Sequence, residues 1–226
     1  MTHEEACRGV AALYEPRWLR HYASSKLRSD RVFATAFELL HGSREPILDV
    51  GCGVGLLPFY LRLRGCTQPV IGIDIDARKL ERARAISAAN FEGITFLEQD
   101  ASGELPDASG NVTLFDVLHY LPPPKQQPLL ASAALRVAPG AALLLRDCPR
   151  DGSARYYATH LAERFAQAVS WNIRVPLHFA TREAIITPFK ASEFTCEEQP
   201  MWGGGPFNNR LFVFRRRSSA TIPPAE

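Results

Sequence analysis

The chain has 226 residues, of which 46% are hydrophobic, and a formal net charge of +2 at pH 7. This length and apolar content suit one α/β domain with an additional cap, and the chain is short for two domains. The nearly neutral charge argues against a general attraction to nucleic acid. No apolar run approaches the ~18–20 residues that a membrane span requires. The composition therefore predicts a protein without a nucleic-acid partner and without a membrane span.

The cysteines are odd in number, scattered, and form no Cys-x-x-Cys pair. They are Cys7, Cys52, Cys66, Cys148 and Cys196. This pattern is typical of reduced thiols, so neither a disulfide framework nor a metal site is expected. The N-terminus carries Glu4 and Glu5 and no apolar segment of the kind found in signal peptides. We therefore expect a cytoplasmic location and no metal ion.

Two helical patterns are predicted at the N-terminus. Thr2 and Glu5 have the spacing of a capping box and open the first helix, which Pro16 interrupts. The second pattern begins at about Ser29. The segment between them, from Tyr14 to Arg28, is rich in aromatic and basic residues. Ordinary aromatic packing with a solvated basic face is one interpretation of this segment.

The chain is organised around the stretch that begins at Ile47. Residues 47–50 are an apolar run typical of a buried strand, and Gly51, Gly53 and Gly55 follow at every second position. A helical pattern begins directly after them, at Leu56. A strand, a glycine loop and a helix form a nucleotide-binding geometry, because the backbone can approach a ligand closely and the helix start offers unpaired N–H groups.

The residues around the glycines distinguish between cofactors. A dinucleotide fingerprint requires a small residue three places after its second glycine, and Leu56 occupies that place. Asp49 immediately before the loop would repel a pyrophosphate, whereas it would suit a cationic ligand with an amino group and a sulfonium. The loop therefore favours a sulfonium cofactor over a nicotinamide dinucleotide.

Strands and helices then alternate, which predicts a doubly wound parallel sheet. Asp74 ends the second strand about 20 residues beyond the glycines, where an acidic side chain contacts ribose hydroxyls. The third strand is predicted at 94–98 and the fourth at 111–118, followed by His119 and Tyr120. A fifth strand, at 141–145, leads into Arg146 and Asp147.

The pattern changes after residue 149. One helix is predicted at 151–171, and a second, shorter one at 181–194 contains Pro188. Strands at 194–199 and 210–216 are joined across a glycine-rich turn. Residues 218–226 are predicted to form a disordered tail.

Residues 46–147 resemble the class I S-adenosylmethionine (SAM)-dependent methyltransferases through this glycine loop and the acidic residues that follow it. The resemblance implies an α/β fold with a doubly wound, mostly parallel seven-stranded sheet, an N-terminal helical lid and an antiparallel C-terminal strand pair. It implies a lid at 1–44, a SAM-binding Rossmann-like domain at 45–217 and a helical substrate-side segment at 150–190. The cofactor-binding residues that it implies are Asp49, Gly51, Cys52, Gly53, Gly55, Asp74, Ile75, Asp100, Ala101 and Asp116.

Methyl transfer requires a general base only when the acceptor carries a proton at the working pH. Candidate bases are His119, His178, His160, Asp147 and Glu183, of which we favour His119 for its position after the fourth strand. The alternative is that His119 only lines the pocket or caps the next helix. Adjacent Arg146 and Asp147 form either an internal ion pair or a substrate contact. The predicted substrate-contacting residues are Tyr14, Trp18, Tyr22, His119, Tyr120, Arg146 and Tyr156.

A narrower resemblance lies in three short motifs, at residues 116–123, 144–147 and 205–211. Together they are similar to the methyltransferases of bacterial aryl polyene and xanthomonadin-type pigment clusters. The resemblance implies a role in secondary metabolism and an aromatic-headed polyketide or fatty-acyl substrate, with an acyl carrier protein as its candidate carrier. Asp147 departs from the Glu expected at that position, which leaves its role open.

The leading hypothesis is a SAM-dependent methyltransferase of a small aromatic or acyl substrate. An RNA or protein methyltransferase is the first alternative, favoured by basic clusters at 17–31 and 215–217. An NAD(P)-dependent reductase is disfavoured by Leu56 and Asp49. A non-catalytic SAM-binding partner of other biosynthetic enzymes remains a third alternative.

Overall fold

The structure is a computed structural model that describes residues 1–169, 176–202 and 205–218. The chain divides into two compact units, residues 1–100 and 101–226. Parts of three predicted features lie outside the described residues. These are the end of the helix predicted up to Trp171, glycines Gly203 and Gly204 of the predicted turn, and the tail from residue 219 onward.

The first unit contains five helices and three strands among its described residues. They are α1 His3–Ala12, α2 Arg17–Ser29, α3 Val32–Leu40, β1 Ile47–Val50, α4 Leu56–Leu63, β2 Val70–Asp74, α5 Ala77–Asn90 and β3 Ile94–Glu98. β1 pairs in parallel with β2, and β2 with β3. All four residues of β1 are buried, as expected for a strand in a parallel sheet that is covered on both faces.

Local sequence signals explain several element boundaries in this unit. The capping box at α1 is present, since the Thr2 hydroxyl accepts from the Glu5 N–H and the Glu5 carboxylate accepts from the Thr2 N–H. Asp76 caps α5 by accepting a hydrogen bond from the Arg78 N–H. Gly65, with φ of 101°, follows α4 in the left-handed conformation that ends many helices.

The aromatic and basic segment after Pro16 is helix α2, which the sequence analysis did not assign. Leu19, Ala23 and Leu27 recur every four residues and are its buried face. The remaining positions are mostly polar, so the apolar stripe is narrow. Burial of that stripe, opposite a polar and basic face, explains why the segment is helical.

The second unit contains the remaining elements. They are β4 Asn111–Phe115, a 3-10 turn at Leu118–Tyr120, α6 Pro123–Arg136, β5 Ala142–Asp147, α7 Ala154–Val169, α8 Arg182–Ile186, β6 Phe194–Pro200 and β7 Arg210–Arg216. β4 and β5 pair in parallel, whereas β7 pairs antiparallel with both β5 and β6. The predicted C-terminal antiparallel pair is therefore confirmed.

Several predicted boundaries in the second unit are wrong. The fifth strand, predicted at 141–145, runs from Ala142 to Asp147. The fourth strand ends at Phe115 instead of Leu118, because Asp116 has a φ of 57°, which extended backbone does not allow. The helix predicted from Asp151 begins at Ala154. The helix predicted at 181–194 ends at Ile186, since Pro188 cannot continue it.

The seven strands pair mostly in parallel within their units, and the antiparallel pairings are those of β7, so the predicted α/β fold class is confirmed. The strand order is β3-β2-β1 within the first unit and β4-β5-β7-β6 within the second. None of the described helices is both long and apolar enough to cross a bilayer.

Candidate functional site

The glycine loop between β1 and α4 is built on left-handed backbone. Gly51, Gly53 and Gly55 have φ values of 77°, 55° and 83°, which glycine adopts without a steric penalty. The N–H groups of Gly51 and Cys52 donate to the Ile73 carbonyl at 2.8 and 2.9 Å. The loop is therefore attached by its own backbone to the end of β2.

The glycines of this region have different neighbours. A Cβ atom built on Gly53 meets no atom of the described residues within 4 Å, so this side of the loop is an open cradle. A Cβ on Gly55 would lie 2.9 Å from the rings of Phe59 and Phe96. The absence of a side chain at Gly53 therefore leaves room for a ligand, whereas its absence at Gly55 leaves room for the buried rings of Phe59 and Phe96.

Asp74, at the end of β2, organises the loop that it adjoins. One carboxylate oxygen accepts from the Gly53 N–H at 2.8 Å, and the other accepts from the Asp76 N–H at 2.9 Å. The carboxylate is thus already held by two backbone N–H groups beside the open cradle. Asp49, which precedes the loop, is also buried.

The other predicted cofactor-binding residues of the first unit are Cys52, Ile75 and Asp100, which differ in exposure. The buried Cys52 thiol faces the backbone of Gly72, since a Cβ on that glycine would lie 2.8 Å from the sulfur. Only the backbone of Cys52 is therefore available to a cofactor. The side chain of Ile75 is 55% exposed, and Asp100 is exposed in the loop after β3.

The three aromatic residues predicted to contact substrate from the N-terminal segment differ in exposure. Tyr14 is buried, and its hydroxyl donates to the Val54 carbonyl in the glycine loop at 2.8 Å. Trp18 and Tyr22, on α2, are 49% and 43% exposed. Tyr14 therefore contacts the backbone of the glycine loop, whereas Trp18 and Tyr22 are partly exposed to solvent.

In the second unit, His119 forms a buried pair with Asp147. His119 lies on the 3-10 turn after β4, Asp147 ends β5, and their Nδ1 and Oδ1 atoms are 2.8 Å apart. Both residues are at most 2% exposed. The Cys148 N–H also donates to the same carboxylate oxygen, at 2.7 Å. His119 Nε2 has no hydrogen-bond partner among the described residues. Two of the candidate bases thus form one hydrogen-bonded pair. Asp147 orients the imidazole, and Nε2 is left to bind another group.

The charge of Asp147 controls the titration of His119. Burial alone would lower the pKa of His119, but the charge and the hydrogen bond of Asp147 raise that pKa to about 9. More distant carboxylates, those of Asp116 and Glu163, act in the same direction. In the free protein the imidazole is therefore mostly protonated at neutral pH.

Arg146 and Asp147 do not form an ion pair with each other. Successive residues of a strand point to opposite faces of the sheet, so their side chains diverge. The buried Arg146 guanidinium instead forms a bidentate pair with Asp116, in which Nε donates to Oδ1 at 2.9 Å. The Asp116 N–H donates to the Arg146 carbonyl at 3.0 Å. Asp116, predicted to bind the cofactor, and Arg146, predicted to contact the substrate, thus bind each other in this structure. Ala101, the other predicted cofactor residue of this unit, is half-buried in the loop that opens it.

Tyr120 contacts helix α7. Its hydroxyl donates to the Glu163 carboxylate at 3.2 Å. Burial, reinforced by the charge of Glu163, raises the pKa of Tyr120 far above its usual value. The hydroxyl therefore remains protonated and serves as a hydrogen-bond donor.

Aromatic rings surround the His119 imidazole. Phe179 stacks on His119, with ring centroids 4.9 Å apart, and makes an edge contact with Tyr156 at 5.7 Å. His160 also meets Phe179 edge-on at 5.7 Å, and Tyr120 lies 4.4 Å from the His119 ring. The predicted substrate residues Tyr120 and Tyr156 thus belong to one aromatic cluster around His119.

The sequence patterns placed Glu163 and Phe179 within the substrate-side segment at 150–190 but gave no individual role to Glu163. Glu163 lies 43 positions from Tyr120, and no local pattern relates the two. Of the other candidate bases, His160 contacts Phe179 in the aromatic cluster, the His178 N–H donates to the His119 carbonyl, and Glu183 is exposed on α8. Across residues 1–169, 176–202 and 205–218, no group of three His, Cys, Asp or Glu side chains is placed to hold a metal ion.

Residues 47–140 match the family model described as a methyltransferase domain. This match covers the glycine loop, Asp74, Asp100, Asp116 and His119. It confirms the resemblance to the class I methyltransferases drawn from the same residues. The narrower resemblance to pigment-cluster methyltransferases remains a prediction.

Two curated relatives are similar to parts of the chain. The ribosomal protein L11 methyltransferase of Burkholderia vietnamiensis is 36% identical over 101 residues, which are 45% of this chain and 31% of the relative. The ubiquinone biosynthesis O-methyltransferase of Chromobacterium violaceum is 30% identical over 120 residues, which are 52% of this chain and 50% of the relative. The chain thus spans half or less of the length of these relatives.

Among solved structures, the magnesium protoporphyrin IX methyltransferase from Synechocystis PCC 6803, crystallised with bound S-adenosylhomocysteine, superposes with a TM-score of 0.64. The match covers 94% of this chain and 93% of that chain at 17% identity. At this identity the likeness establishes a shared fold.

Proposed function

We propose that this protein, whose residues 47–140 match the model of a methyltransferase domain, transfers a methyl group from SAM to an oxygen atom of a small aromatic or acyl molecule. The observation that carries the proposal is the buried His119–Asp147 pair, whose Nε2 atom has no partner among the described residues. A histidine held in this way can remove a proton from a hydroxyl group whenever its ring is neutral.

The first unit has the features that SAM requires. Gly53 faces open space, and Asp74 offers a carboxylate next to it that already accepts from backbone N–H groups. When bound, SAM supplies a methyl group activated by a positively charged sulfur. We propose that the backbone of Gly51 to Gly55 and the carboxylate of Asp74 hold the cofactor, with Asp74 accepting hydrogen bonds from the ribose hydroxyls. Asp49, Ile75, Asp100, Ala101 and Asp116 complete the proposed set.

His119 is the proposed general base. Its Nδ1–H donates to Asp147, which selects the tautomer that leaves Nε2 as the acceptor when the ring is neutral. Nε2 would take the proton of the acceptor hydroxyl, and Asp147 would stabilise the imidazolium that results. Phe179, Tyr156 and Tyr120 support an aromatic acceptor, since flat rings pack well in an aromatic cluster.

The remaining predictions complete the proposal. Residues 1–44 would act as the lid and the segment 150–190 as the substrate side. Trp18, Tyr22 and Arg146 remain candidate substrate contacts. An aryl polyene-type intermediate on an acyl carrier protein, secondary metabolism and a cytoplasmic location rest on the sequence patterns alone.

A second candidate is methylation of a protein. The similarity to ribosomal protein L11 methyltransferase, at 36% identity over 101 residues, favours it. The similarity to the ubiquinone O-methyltransferase, over a longer stretch, favours the small-molecule reaction. The buried dyad also favours a hydroxyl acceptor, since a lysine amine that has already lost its proton needs no base for methyl transfer.

Two measurements test the proposal. Titration calorimetry should detect binding of SAM and S-adenosylhomocysteine and none of NADH. Labelled SAM should then be offered in parallel to a panel of phenols and aromatic acyl acids, to total ribosomal protein and to total RNA. We expect label in the small-molecule fraction; label in protein alone supports the second candidate, and label in RNA alone refutes both.

A further inference from the structure

The peptide unit between Val54 and Gly55 is held at both of its polar ends. The Gly55 N–H donates to the Cys52 carbonyl at 2.9 Å, and the Val54 carbonyl accepts from the Tyr14 hydroxyl at 2.8 Å. The first contact is local to the loop. The second comes from a residue 40 positions earlier, in the connection between α1 and α2.

A peptide unit that precedes a glycine is easy to rotate, because glycine accepts positive and negative φ with little difference in energy. Gly55 has a φ of 83°, and its neighbours Gly53 and Gly51 are also left-handed. The loop sequence alone therefore leaves several backbone conformations open. Any contact that fixes one peptide plane selects among them.

The environment of Tyr14 makes its contact a strong one. Tyr14 is 1% exposed, and burial raises the pKa of its hydroxyl well above the usual value, so the group stays a donor. Its ring packs against Phe59 of α4 at a centroid distance of 6.5 Å. Arg20 Nε donates to the Tyr14 carbonyl at 3.3 Å, which ties the backbone of this residue to α2.

We propose that Tyr14 is a positioning residue for the cofactor: its hydroxyl fixes the Val54–Gly55 peptide, so that the N-terminal helices preorganise the glycine loop. This inference rests on the proposed function, because it assumes that the loop binds SAM. It gives Tyr14 a different task from the substrate contact predicted from the sequence. It also gives the N-terminal segment a direct effect on cofactor affinity, beyond any covering role.

Coupling of this kind is reciprocal. If an anchored Tyr14 favours the binding conformation of the loop, then bound cofactor must favour an anchored Tyr14. Removal of the hydroxyl should lower affinity by the fraction of molecules that leave the competent conformation. A lost buried hydrogen bond shifts such an equilibrium by roughly 5- to 100-fold.

The test compares Tyr14→Phe with Tyr60→Phe. Tyr60 is also buried, and its hydroxyl links α1 to α4 through His3 Nδ1 at 2.7 Å and Arg64 at 2.6 Å. Both variants therefore lose one buried hydroxyl at the helices, but only Tyr14 contacts the glycine loop. Calorimetry with S-adenosylhomocysteine gives the affinity, thermal unfolding gives the stability, and steady-state kinetics separate the KM for SAM from kcat.

We expect both variants to unfold at lower temperature, whereas only Tyr14→Phe weakens S-adenosylhomocysteine, by roughly 5- to 100-fold. Its KM for SAM should rise while the KM for the acceptor stays constant. Equal affinity of Tyr14→Phe and the parent would overturn the inference. Equal weakening in both variants would also overturn it, since that result indicates general loosening of the helices.

Hydrogen exchange of the parent protein provides a measurement that needs no variant. S-adenosylhomocysteine should slow exchange at residues 11–16 together with residues 52–56, and protection of the loop alone would count against the coupling. A parent protein that binds neither SAM nor S-adenosylhomocysteine refutes the proposed function itself, and the inference with it.

Discussion

The glycine loop of the first unit and the 3-10 turn Leu118–Tyr120 of the second unit, which carries His119, hold their polar groups in different ways. In the loop, backbone N–H groups and carbonyls are fixed by one another, by Asp74 and by Tyr14. Around the turn, charged side chains bind each other: His119 pairs with Asp147 at the end of β5, and Arg146 of β5 pairs with Asp116. The loop is thus held by backbone hydrogen bonds, whereas the groups around the turn are held by pairing of buried charged side chains.

This difference determines what substitutions should do. Changes in the loop should alter cofactor affinity and local stability, because they act on shape. Changes around the turn should alter the reaction rate and its pH dependence, because they act on protonation. The following experiments test this division, in order of decreasing expected effect.

Replacement of His119 should have the largest effect. If it is the base, His119→Ala should lower kcat by roughly 10²–10⁴-fold while the Kd for SAM stays nearly unchanged. His160→Ala is a matched control, since His160 contacts the same Phe179 ring but is not paired with Asp147. Similar losses of kcat in both variants would indicate that the aromatic cluster, rather than the base, controls turnover.

The pH dependence should show opposite trends in activity and stability. Since the pKa of His119 is about 9, only about one molecule in a hundred has a neutral imidazole at pH 7, and kcat/KM should rise about tenfold per pH unit until it levels near pH 9.

The His119–Asp147 pair should stabilise the fold most at low pH, which is opposite to the pH trend of the activity. The folded pKa lies above the reference value of 6.5, so this stabilisation is complete below pH 6.5 and is lost as pH rises through about 9. Its size is roughly 3 kcal/mol. Urea unfolding from pH 6 to 9.5 should show a steeper decline for the parent than for His119→Gln, and parallel curves would contradict this assignment.

Asp74→Asn tests the loop side of the comparison. It removes a charged acceptor and should weaken SAM by about 1.5–3 kcal/mol, the value of hydrogen bonds to a charged group. Asp76→Asn is the control, because Asp76 caps α5 and Asn caps helices equally well. SAM affinity at the parental level in Asp74→Asn would show that the ribose is bound elsewhere.

Alanine substitutions at Gly53 and Gly55 should differ in their effect on the free energy of unfolding, measured by urea denaturation. Gly55→Ala should destabilise the fold by about 1–3 kcal/mol, since its methyl group would lie 2.9 Å from Phe59 and Phe96 in addition to the unfavourable φ. Gly53→Ala meets no described atom and should cost roughly 1 kcal/mol, from its positive φ alone. A larger loss of stability in Gly53→Ala than in Gly55→Ala would contradict the assignment of the open side of the loop.

The helices, the strands and the glycine loop were predictable because their signals are local. Alternating apolar runs and helical patterns predicted the sheet, and the spacing of Gly51, Gly53 and Gly55 with Asp49 and Asp74 predicted the family. The errors were local too: a left-handed Asp116 ended β4 early, and a narrow apolar stripe left α2 unassigned. A single residue with positive φ leaves no periodic trace in a sequence.

The sequence by itself determined the order of the strands and helices from β1 onward, the glycine loop after β1 and the position of His119 after the fourth strand. Only the tertiary structure decided the pairings: Asp147 with His119, Asp116 with Arg146, Glu163 with Tyr120, and Tyr14 with Val54. These partners lie 28 to 43 positions apart along the chain. Secondary structure follows from contacts between near neighbours, which a sequence displays as a period. A buried ion pair or hydrogen bond depends on which strand ends and helices the fold brings together, and each such partner is one residue among many of the same type.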